Sequence, residues 1–307
     1  AVPRGEVREI HLSSGTTGVA TLAAYTQRDL EIWAECFGRG IVYAGGGADD
    51  VVQVNYGYGL FTGGLGAHYG SQHSGAAVIP ASSGNTERQI RLLKDLGTTI
   101  MCCTPSYADT ALEAGIDPSE EFHLRAGIHG AEPFSDSLRA ELERKLGYKV
   151  LDVYGLTETM GPGVAIECWE QAGLHLAEDH FYAEVIDPVT GKNLPDGEWG
   201  ELVITTVEAS PVVRYRTRDI TRIIPGTCAC GRTHRRIDRL HGRTDDMLVI
   251  RGVNVFPSQI EDVVKAIPDA SSWYRIELET VKSLDVVTLK IEANPGFAID
   301  SIAAVQR

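Results

Sequence analysis

The sequence predicts an α/β fold in which a large layered α/β domain carries a β-rich subdomain and is followed by a small α+β domain. Strand-like and helix-like segments alternate over the first two-thirds of the 307 residues. Strand patterns dominate after Phe181, and the polar run His241–Asp246 separates a last region with a pattern of its own. Because such alternation is typical of a sheet covered by helices, we expect a large domain over 1–241 and a small one over 242–307.

The first region alternates short apolar runs with amphipathic ones. Thr26 and Asp29 have the spacing of a capping box, and the apolar residues that follow fall on one helical face. That face consists of Leu30, Trp33, Ala34, Phe37 and Ile41. Further helices are predicted at Asn85–Leu96, with Ile90, Leu93 and Leu96 facing inward, and at Ser135–Leu146. The predicted strands are Val7–Leu12, Val51–Asn55, Thr99–Cys103, Leu124–Ile128 and Lys149–Tyr154.

The second region has the pattern of strands joined by turns, and the third contains both strand and helix patterns. Strands are predicted at Phe181–Ile186, Glu201–Thr206 and Val212–Tyr215. Beyond Asp246 the predicted order is β-α-β-β, which suits a small α+β domain. Its elements are Met247–Ile250, a helix beginning at Pro257, Trp273–Thr280 and Leu284–Ala293.

The composition excludes several classes of protein. A formal net charge of −14 argues against binding nucleic acid or an anionic membrane surface, since both require a basic face. No apolar run approaches the roughly 20 residues that span a bilayer. The first residues lack the long apolar stretch of a signal peptide. Six cysteines in a chain of this length do not form a secreted disulfide framework, so we expect a cytoplasmic protein.

A Ser/Thr/Gly run follows the first predicted strand. It comprises Ser13, Ser14, Gly15, Thr16, Thr17 and Gly18. Glycines let the backbone approach an anion, and hydroxyl and N–H groups then donate to its oxygens. An isolated run of this kind is more often a polar turn. It is not a Walker A loop, because no Gly-Lys-Ser/Thr follows.

Other motifs follow in a fixed order. Taken singly they are weak: Glu158 has the position of a solvated helix cap, and Asp219 that of a turn acid. Together, the run Ser13–Gly18 and the motifs Tyr154–Glu158, Arg214–Asp219 and Gly242–Asp246 resemble the adenylate-forming superfamily. Further segments resemble its phenylacetate–CoA ligases, and the resemblance extends from about Ile10 to about Glu292. These segments are Tyr56–Gly64, Gly130–Pro133, Gly161–Ala165 and Arg251–Gln259.

The resemblance implies an AMP-forming ligase. Such an enzyme uses ATP to activate an aromatic carboxylic acid as an acyl-adenylate, and then transfers the acyl group to coenzyme A. Phenylacetate is the acid that the resemblance implies. The expected partners are therefore the acid, ATP and CoA, with no nucleic acid or membrane. The oligomeric state stays open, with a homodimer as one candidate.

The resemblance also implies roles for particular residues. Ser13, Ser14, Gly15, Thr16, Thr17 and Gly18 would hold phosphate. Thr157 would contact the α-phosphate and Glu158 would bind Mg²⁺, which prefers oxygen ligands. Asp245 would mark the hinge between the domains. The adenosine would lie against Ala131, Glu132, Pro133 and Tyr154, with Asp219 on the ribose and Arg243 on the ribose or phosphate. Tyr56 and Phe61 would frame the acid pocket.

The sequence departs from the family pattern in two places. Val19 and Ala20 stand where the phosphate loop normally continues Lys-Pro. The family's chains are longer at both ends, so both domains would be incomplete, and the C-terminal segment with the adenylation lysine does not precede Arg307. We expect such a chain to bind adenine nucleotides but to adenylate poorly. Two alternatives remain open: an adenylating protein with an acceptor other than CoA, and a nucleotide-binding, non-catalytic fragment or paralogue.

The cysteines divide into two groups. Cys228 and Cys230 are separated by one residue, with His234 nearby, while Cys168 and His175 have six residues between them. By resemblance, Cys168, His175, Cys228 and Cys230 would hold one structural Zn²⁺, with His234 as the alternative to His175. Free cysteines and surface histidines are the competing interpretation. The remaining cysteines, Cys36, Cys102 and Cys103, lie in apolar contexts and are predicted to be core.

Overall fold

The structure is a computed structural model. It describes residues 2–13, 21–113, 122–208, 211–244, 248–250, 253–255, 257–265, 267, 270–281 and 284–293. The strands are β1 Val7–Leu12, β2 Leu22–Thr26, β3 Val51–Val54, β4 Ala77–Ile79, β5 Ile100–Cys103, β6 Ala126–Gly130, β7 Lys149–Leu156, β8 Gly161–Glu167, β9 Leu174–Leu176, β10 Phe181–Ile186, β11 Gly200–Thr206, β12 Tyr215–Thr221, β13 Ile223–Ile224, β14 Arg236–Ile237, β15 Gly242–Arg243, β16 Leu248–Ile250, β17 Val253–Val255, β18 Ala270–Val281 and β19 Leu284–Ala293. The α-helices are α1 Gln27–Tyr43, α2 Gly63–His73, α3 Thr86–Asp95, α4 Pro105–Glu113, α5 Asp136–Leu146 and α6 Pro257–Lys265, and 3₁₀ turns lie at Arg4–Glu6 and Thr157–Thr159.

A mixed sheet forms the centre of the described chain. Its order is β13-β14-β9-β8-β7-β6-β5-β3-β4. The strands from β4 to β7 are parallel to their neighbours, whereas β8, β9, β14 and β13 continue the sheet antiparallel. Every residue of β5 and β6 is buried, as expected of parallel strands covered on both faces. The carboxyl ends of β3, β6 and β7 therefore meet at one edge.

The predicted capping box at the start of α1 is confirmed. The Asp29 N–H donates to the Thr26 hydroxyl at 3.2 Å, and the Thr26 N–H donates to the Asp29 carboxylate at 2.7 Å. Trp33, Phe37 and Ile41 on the predicted inner face are fully buried. The sequence thus located both the first residue of this helix and its orientation.

The helix α2 was not predicted, because its many glycines have low helix propensity. It packs against α1 at very short range. A Cβ atom at Gly66 would lie 2.5 Å from the Trp33 ring, and one at Gly70 would lie 2.5 Å from the Phe37 Cβ. Glycine is required there because the two helix backbones leave no room for a side chain.

A second, antiparallel sheet of order β10-β11-β12-β15 forms the predicted β-rich part. The expected strand Phe181–Ile186 is confirmed. The strand expected at Val212–Tyr215 is wrong, since β12 begins only at Tyr215 and Val213 is 79% exposed. Arg214, at φ 48°, lies in the left-handed region and interrupts the extended backbone just before the strand.

Several smaller differences also have local causes. Leu96 is 50% exposed rather than inward, because α3 ends at Asp95 and Leu96 is its C-cap. The strand β6 begins at Ala126, two residues later than expected. The unpredicted β17 pairs with β16, so the last region has the order β-β-α-β-β.

No helix within the described residues is long and apolar enough to cross a bilayer. All three predicted core cysteines, Cys36, Cys102 and Cys103, are buried.

The capping box generates a stability prediction. Replacing Thr26 by Ala removes the acceptor for the Asp29 N–H, and we expect unfolding to become easier by about 1 kcal/mol in a denaturant titration. Thr26→Ser keeps the hydroxyl and serves as the control. Equal loss in both variants would show that the methyl packing of Thr26, rather than its hydrogen bond, matters.

Candidate active site

A cavity opens at the carboxyl edge of the central sheet, where β7 has a parallel neighbour, β6, on one side and an antiparallel neighbour, β8, on the other. Such points are where ligands bind in open α/β sheets. The segment that follows β6 and the end of β7 form two of its walls. Residues 237–240, Asp219, β15 and Pro257 complete the lining. The cavity therefore lies between the central sheet and the second sheet.

The Asp219 carboxylate is held at both oxygens. The Tyr154 hydroxyl donates to Oδ2 at 2.7 Å, and the Arg243 guanidinium donates to Oδ1 at 3.0 Å. Asp219 is only 2% exposed, and β12 pairs it directly with Arg243 of β15. These two hydrogen bonds fix the orientation of the carboxylate, an acceptor of hydrogen bonds, at the wall of the cavity.

The wall after β6 is formed by Ala131, Glu132 and Pro133. Ala131 has φ 69°, in the left-handed region that non-glycine residues seldom adopt, and Arg218 beside Asp219 has φ 70°. Such strained residues cluster at functional sites. The Glu132 carboxylate accepts hydrogen bonds from the Ser106 hydroxyl at 3.0 Å and backbone N–H at 3.3 Å. This side chain is therefore used to hold the wall against α4.

Thr157 and Glu158 lie in the 3₁₀ turn that follows β7. The Tyr25 hydroxyl donates to the Thr157 carbonyl at 3.2 Å, and the Thr62 and Thr157 hydroxyls are 3.4 Å apart. Burial, with the nearby charges of Asp29 and Glu158, raises the pKa of Tyr25. The half-buried Glu158 carboxylate makes no hydrogen bond to another described residue, so its oxygens suit a hard cation.

The candidate phosphate loop is described only at its first residue. The Ser13 hydroxyl accepts a hydrogen bond from the Thr21 N–H at 2.8 Å, and the Ser13 N–H donates to the Thr21 carbonyl at 2.9 Å. Ser14, Gly15, Thr16, Thr17 and Gly18 lie outside the described residues, as do Val19, Ala20 and the candidate hinge Asp245.

The two aromatic residues expected at the acid pocket meet at the first residue of α2. A Cβ atom at Gly63 would lie 2.7 Å from Phe61 Cε1 and 3.5 Å from Tyr56 Cγ. Phe61 is 42% exposed, whereas Tyr56 is 5% exposed and its hydroxyl donates to the Ile128 carbonyl at 3.4 Å. One ring is therefore available at the surface, and the other is fixed against the central sheet.

Several residues of the cavity were missed from the sequence, among them Phe134, Asp152 and Arg239. The Arg239 guanidinium lies 4.2 Å from the centre of the Phe134 ring and donates to the Asp152 carboxylate at 3.4 Å. Asp152 could have been found, because it precedes Tyr154 by two residues and so shares its face of β7. Nothing in the sequence near Arg239 indicated its partners, which are 87 and 105 residues away.

A buried ion pair lies behind these residues. The Arg139 guanidinium of α5 donates to both oxygens of Glu167 of β8, at 3.3 and 2.6 Å, and Glu167 is fully buried. The Asp152 N–H donates to the same carboxylate at 2.9 Å. Burial, reinforced by the Glu167 charge, raises the pKa of Asp152 to about 7. The back wall of the cavity is thus a charged network fixed across three elements.

The four residues proposed for zinc come together elsewhere in the structure. The ligand atoms of Cys168, His175, Cys228 and Cys230 all lie within 4.8 Å of one another. The Cys168 and Cys228 sulfurs are 3.7 Å apart, and Cys230 Sγ lies 3.5 Å from His175 Nε2. Tetrahedral zinc, with bonds of about 2.3 Å to sulfur and about 2.1 Å to nitrogen, requires ligand atoms roughly 3.5–3.8 Å apart. The donor set therefore fits this ion.

The protonation of these groups differs with their surroundings. Burial raises the pKa of Cys168 to about 12 and lowers that of His175 to about 4, so the imidazole is neutral, as a ligand must be. Burial opposes ionisation of Cys230 as well, but hydrogen bonds from Arg232 outweigh it and lower the pKa of Cys230 to about 7. The His234 imidazole, with Nδ1 3.5 Å from the Tyr43 hydroxyl, belongs to no ligand group among the described residues.

Comparison with known proteins identifies the relatives of this chain. Residues 6–210 match the AMP-binding enzyme family, and residues 252–307 match the AMP-binding enzyme C-terminal domain. The chain is 54% identical to a phenylacetate-coenzyme A ligase of Pseudomonas putida over 299 residues, covering 95% of this chain and 67% of that protein. It is 50% identical to the phenylacetate-coenzyme A ligase of Escherichia coli (strain K12), covering 95% of this chain and 68% of that protein. These matches confirm the resemblance that the motifs indicated.

A solved structure supports the fold. A 2-hydroxyisobutyryl-CoA ligase in the postadenylation state superposes with a TM-score of 0.88 at 26% identity, covering 99% of this chain and 65% of that one. The same ligase in its thioesterification state superposes with a TM-score of 0.76. The expected α/β fold is confirmed, and the described arrangement is closer to the former state. The chain spans about two thirds of the length of these relatives.

The buried pair behind the cavity yields a prediction. Replacing Arg139 by Met leaves the Glu167 carboxylate buried without its main partner, and we expect unfolding to become easier by about 3–5 kcal/mol. Arg91→Met, which removes the exposed i,i+4 pair with Glu87, is the control and should cost less than about 1 kcal/mol. Similar losses in both variants, measured by denaturant unfolding, would contradict the assignment of a structural role to the Arg139–Glu167 pair.

Proposed function

This chain belongs to the AMP-binding enzyme family, and we propose that it acts as an AMP-forming acid–thiol ligase. It would join an aromatic carboxylate to the α-phosphate of ATP, forming an acyl-adenylate and releasing pyrophosphate. The thiol of coenzyme A would then accept the acyl group, releasing AMP. The observation that carries the proposal is the Asp219 carboxylate, held by Tyr154 and Arg243 in a cavity at the carboxyl edge of the sheet. The relatives at 47–54% identity, all phenylacetate-coenzyme A ligases, support it.

The cavity suits adenosine. An adenine ring would lie against the backbone of Ala131–Pro133, and the ribose hydroxyls would donate to Asp219. Tyr154 and Arg243 fix that carboxylate before a ligand arrives, so little orientational freedom is lost on binding. Phe134, held under the Arg239 guanidinium, adds a flat apolar surface to the same cavity.

The phosphates would extend toward Thr157 and Glu158. Thr157 is oriented through its contacts with Tyr25 and Thr62, and Glu158 keeps its carboxylate for a cation. Mg²⁺ bound there would neutralise charge on the phosphates as the acid carboxylate approaches. The residues Ser13–Gly18 are proposed to contact the phosphates as well. Alignment of two anions that repel each other is the main task of such a site.

The acid would bind beside the first turn of α2. Tyr56 and Phe61 both pack against Gly63, where a Cβ atom would lie only 2.7 Å from Phe61 Cε1, so the glycine lets the Phe61 ring lie directly on the start of α2. A flat aromatic guest is favoured by such surfaces. Because the Thr62 hydroxyl contacts Thr157, a carboxylate in this position would lie near the α-phosphate. We therefore propose phenylacetate, or an aromatic acid of similar size, as the substrate.

The two-domain division also enters the proposal. We place the large domain at 1–241, the small one at 242–307, and the hinge at Asp245. One relative has been solved in two states that superpose differently on this chain, with TM-scores of 0.88 and 0.76. A rotation of the small domain between the two half-reactions would account for such a difference, and hinge residues absorb the backbone change.

We also propose that Cys168, His175, Cys228 and Cys230 bind one structural Zn²⁺. Cys168 immediately follows β8, His175 belongs to β9, and the Cys228–Cys230 loop connects β13 to β14. The ion would tie these antiparallel strands to one another at the end of the central sheet. Thiolate ligands need a reducing compartment, so the cytoplasm is the proposed location.

The function is tested by pyrophosphate exchange and thioester formation in the full-length protein. We expect ATP–pyrophosphate exchange that depends on phenylacetate and exceeds that with acetate or palmitate. Glu158→Gln should lower the exchange rate on the order of 10²–10³-fold, since it removes the carboxylate proposed to hold Mg²⁺ at the phosphates. Glu170→Gln, at an exposed glutamate, is the matched control.

Three outcomes would contradict parts of this proposal. Unchanged exchange in Glu158→Gln would exclude its role at the phosphates. Exchange without formation of phenylacetyl-CoA would favour an acceptor other than CoA. ATP binding by calorimetry without any exchange would favour a non-catalytic nucleotide-binding protein.

The zinc proposal has a separate test. Elemental analysis of protein purified without chelator should find one zinc per chain, and Cys228→Ser and His175→Gln should lose it together with much of the domain's stability. His234→Gln is the matched control and should retain the metal, because His234 lies outside the donor set. Zinc-free wild-type protein, or zinc retained in Cys228→Ser, would refute the site.

A further inference from the structure

A second group of metal-ligating side chains lies away from the cavity and from the four sulfur and nitrogen donors. Glu35 belongs to α1, Asp179 and His180 immediately precede β10, and Glu208 follows β11. One ligand atom from each of Glu35, Asp179 and His180 lies within 4.8 Å of the other two. Three elements that are distant in sequence therefore bring an imidazole and carboxylates together.

The burial and hydrogen bonding of His180 distinguish this group from an exposed acidic patch. Its side chain is only 6% exposed, yet neither ring nitrogen has a hydrogen-bond partner among the residues that the structure describes. At least one of these nitrogens needs a partner, and a buried polar atom left without one costs about 1–3 kcal/mol. Two carboxylate oxygens lie close to the same nitrogen: Nε2 is 3.5 Å from Asp179 Oδ2 and 4.0 Å from Glu35 Oε2. The imidazole Nε2 thus lies near both the Asp179 and the Glu35 carboxylates, at distances longer than an ordinary hydrogen bond.

These separations suit ligands around one ion. Nitrogen and oxygen ligands bind a first-row divalent ion at about 2.0–2.2 Å, which places neighbouring ligand atoms roughly 3.0–3.6 Å apart. The 3.5 Å distance lies in that range. The 4.0 Å distance requires a small rotation of the carboxylate of Glu35, whose side chain is 43% exposed and is held at its other oxygen, Oε1, by Arg39. Glu208, with Oε2 4.0 Å from His180 Nδ1, would orient the ring from its other nitrogen.

We propose that Glu35, Asp179 and His180 form a binding site for a divalent transition-metal ion, in addition to the proposed zinc site. One imidazole and two carboxylates are mixed nitrogen and oxygen donors, which suit Mn²⁺, Fe²⁺ or Zn²⁺ better than a soft ion. The ion would connect α1 with the start of β10. It shares no residue with the nucleotide cavity, and the proposal does not depend on the proposed catalytic activity.

Arg39 is the competing cation at this site. Its guanidinium donates to both oxygens of Asp179, at 2.8 and 2.5 Å, and to Glu35 Oε1 at 2.5 Å. Glu35 Oε2 remains on the side of His180. A bound ion would therefore share the Asp179 carboxylate with Arg39. Such sharing lowers the affinity, so a weaker site than the four-donor set is expected.

The test uses Mn²⁺, which prefers oxygen and nitrogen donors to thiolates. Nucleotide-free, zinc-analysed protein carrying Glu158→Gln is titrated with Mn²⁺, and free Mn²⁺ is followed by electron paramagnetic resonance. That background removes the carboxylate proposed for the active-site ion. We compare it with the same protein carrying His180→Gln, Asp179→Asn or, as a matched control, Asp196→Asn, an acid of similar exposure paired with Arg235. Circular dichroism and zinc content establish that each variant is folded.

We expect one Mn²⁺ to bind and the affinity to fall by at least roughly 10–100-fold in His180→Gln and Asp179→Asn, the loss that even a supporting residue of a metal site causes. Asp196→Asn should bind as the parent does. No Mn²⁺ binding by the parent, or equal binding by all four proteins, would overturn the proposal. If His180→Gln does not fold, Asp179→Asn decides in the same way. Loss of binding in Asp196→Asn as well would show a general surface effect and would also overturn it.

Discussion

The hydrogen-bonded Asp219 carboxylate is the interaction on which the arrangement of the site depends. It lies on β12 of the second sheet, accepts from Tyr154 of β7 in the central sheet, and pairs with Arg243 of β15. Asp219 is therefore the point at which two separate sheets are fixed relative to each other at the cavity. Because the group is almost fully buried, both of its oxygens need partners, and the partners determine how the carboxylate is oriented. The requirement that stabilises the fold thus also orients the group for the ribose contact proposed above.

At the back of the cavity, several buried charged groups likewise need partners. Glu167 is fully buried and is stabilised by Arg139, while Asp152 and Arg239 interact beside it. Burial raises the pKa of Asp152 to about 7, and repulsion from the nearby Glu167 carboxylate adds to that rise. The two guanidiniums offset that repulsion and also lie over Phe134, at 5.4 and 4.2 Å from its ring centre. An acidic protein can therefore contain a cavity whose wall is partly cationic.

The close packing of α2 on α1 has a consequence for the site. Glycines at 66 and 70 allow the two helices to approach until ring and backbone touch, and this brings Thr62 within 3.4 Å of the Thr157 hydroxyl. A larger residue at Gly66 would meet the Trp33 ring, and Trp33 itself donates to the Pro162 carbonyl just beyond the Glu158 turn. The segment proposed to bind the acid and the segment proposed to bind phosphate are thus held in contact by the same helix pair.

The sequence by itself determined the local features and, through its ordered motifs, the family. The capping box at Thr26, the buried face of α1 and strand β10 follow from residues a few positions apart, whose hydrogen bonds and periodicity do not depend on the rest of the chain. The motifs also contained part of the cavity lining, including Tyr154, Asp219 and Arg243, but not Phe134, Asp152 or Arg239. Only the tertiary structure decided which partners meet: Tyr154 with Asp219 across 65 residues, Arg139 with Glu167 across 28, and Cys168 with Cys228 across 60. It also placed His175 rather than His234 among the sulfurs and formed α2 from a glycine-rich segment. These features depend on packing between distant segments. The space that a neighbouring helix or strand leaves for a side chain cannot be inferred from a local sequence pattern.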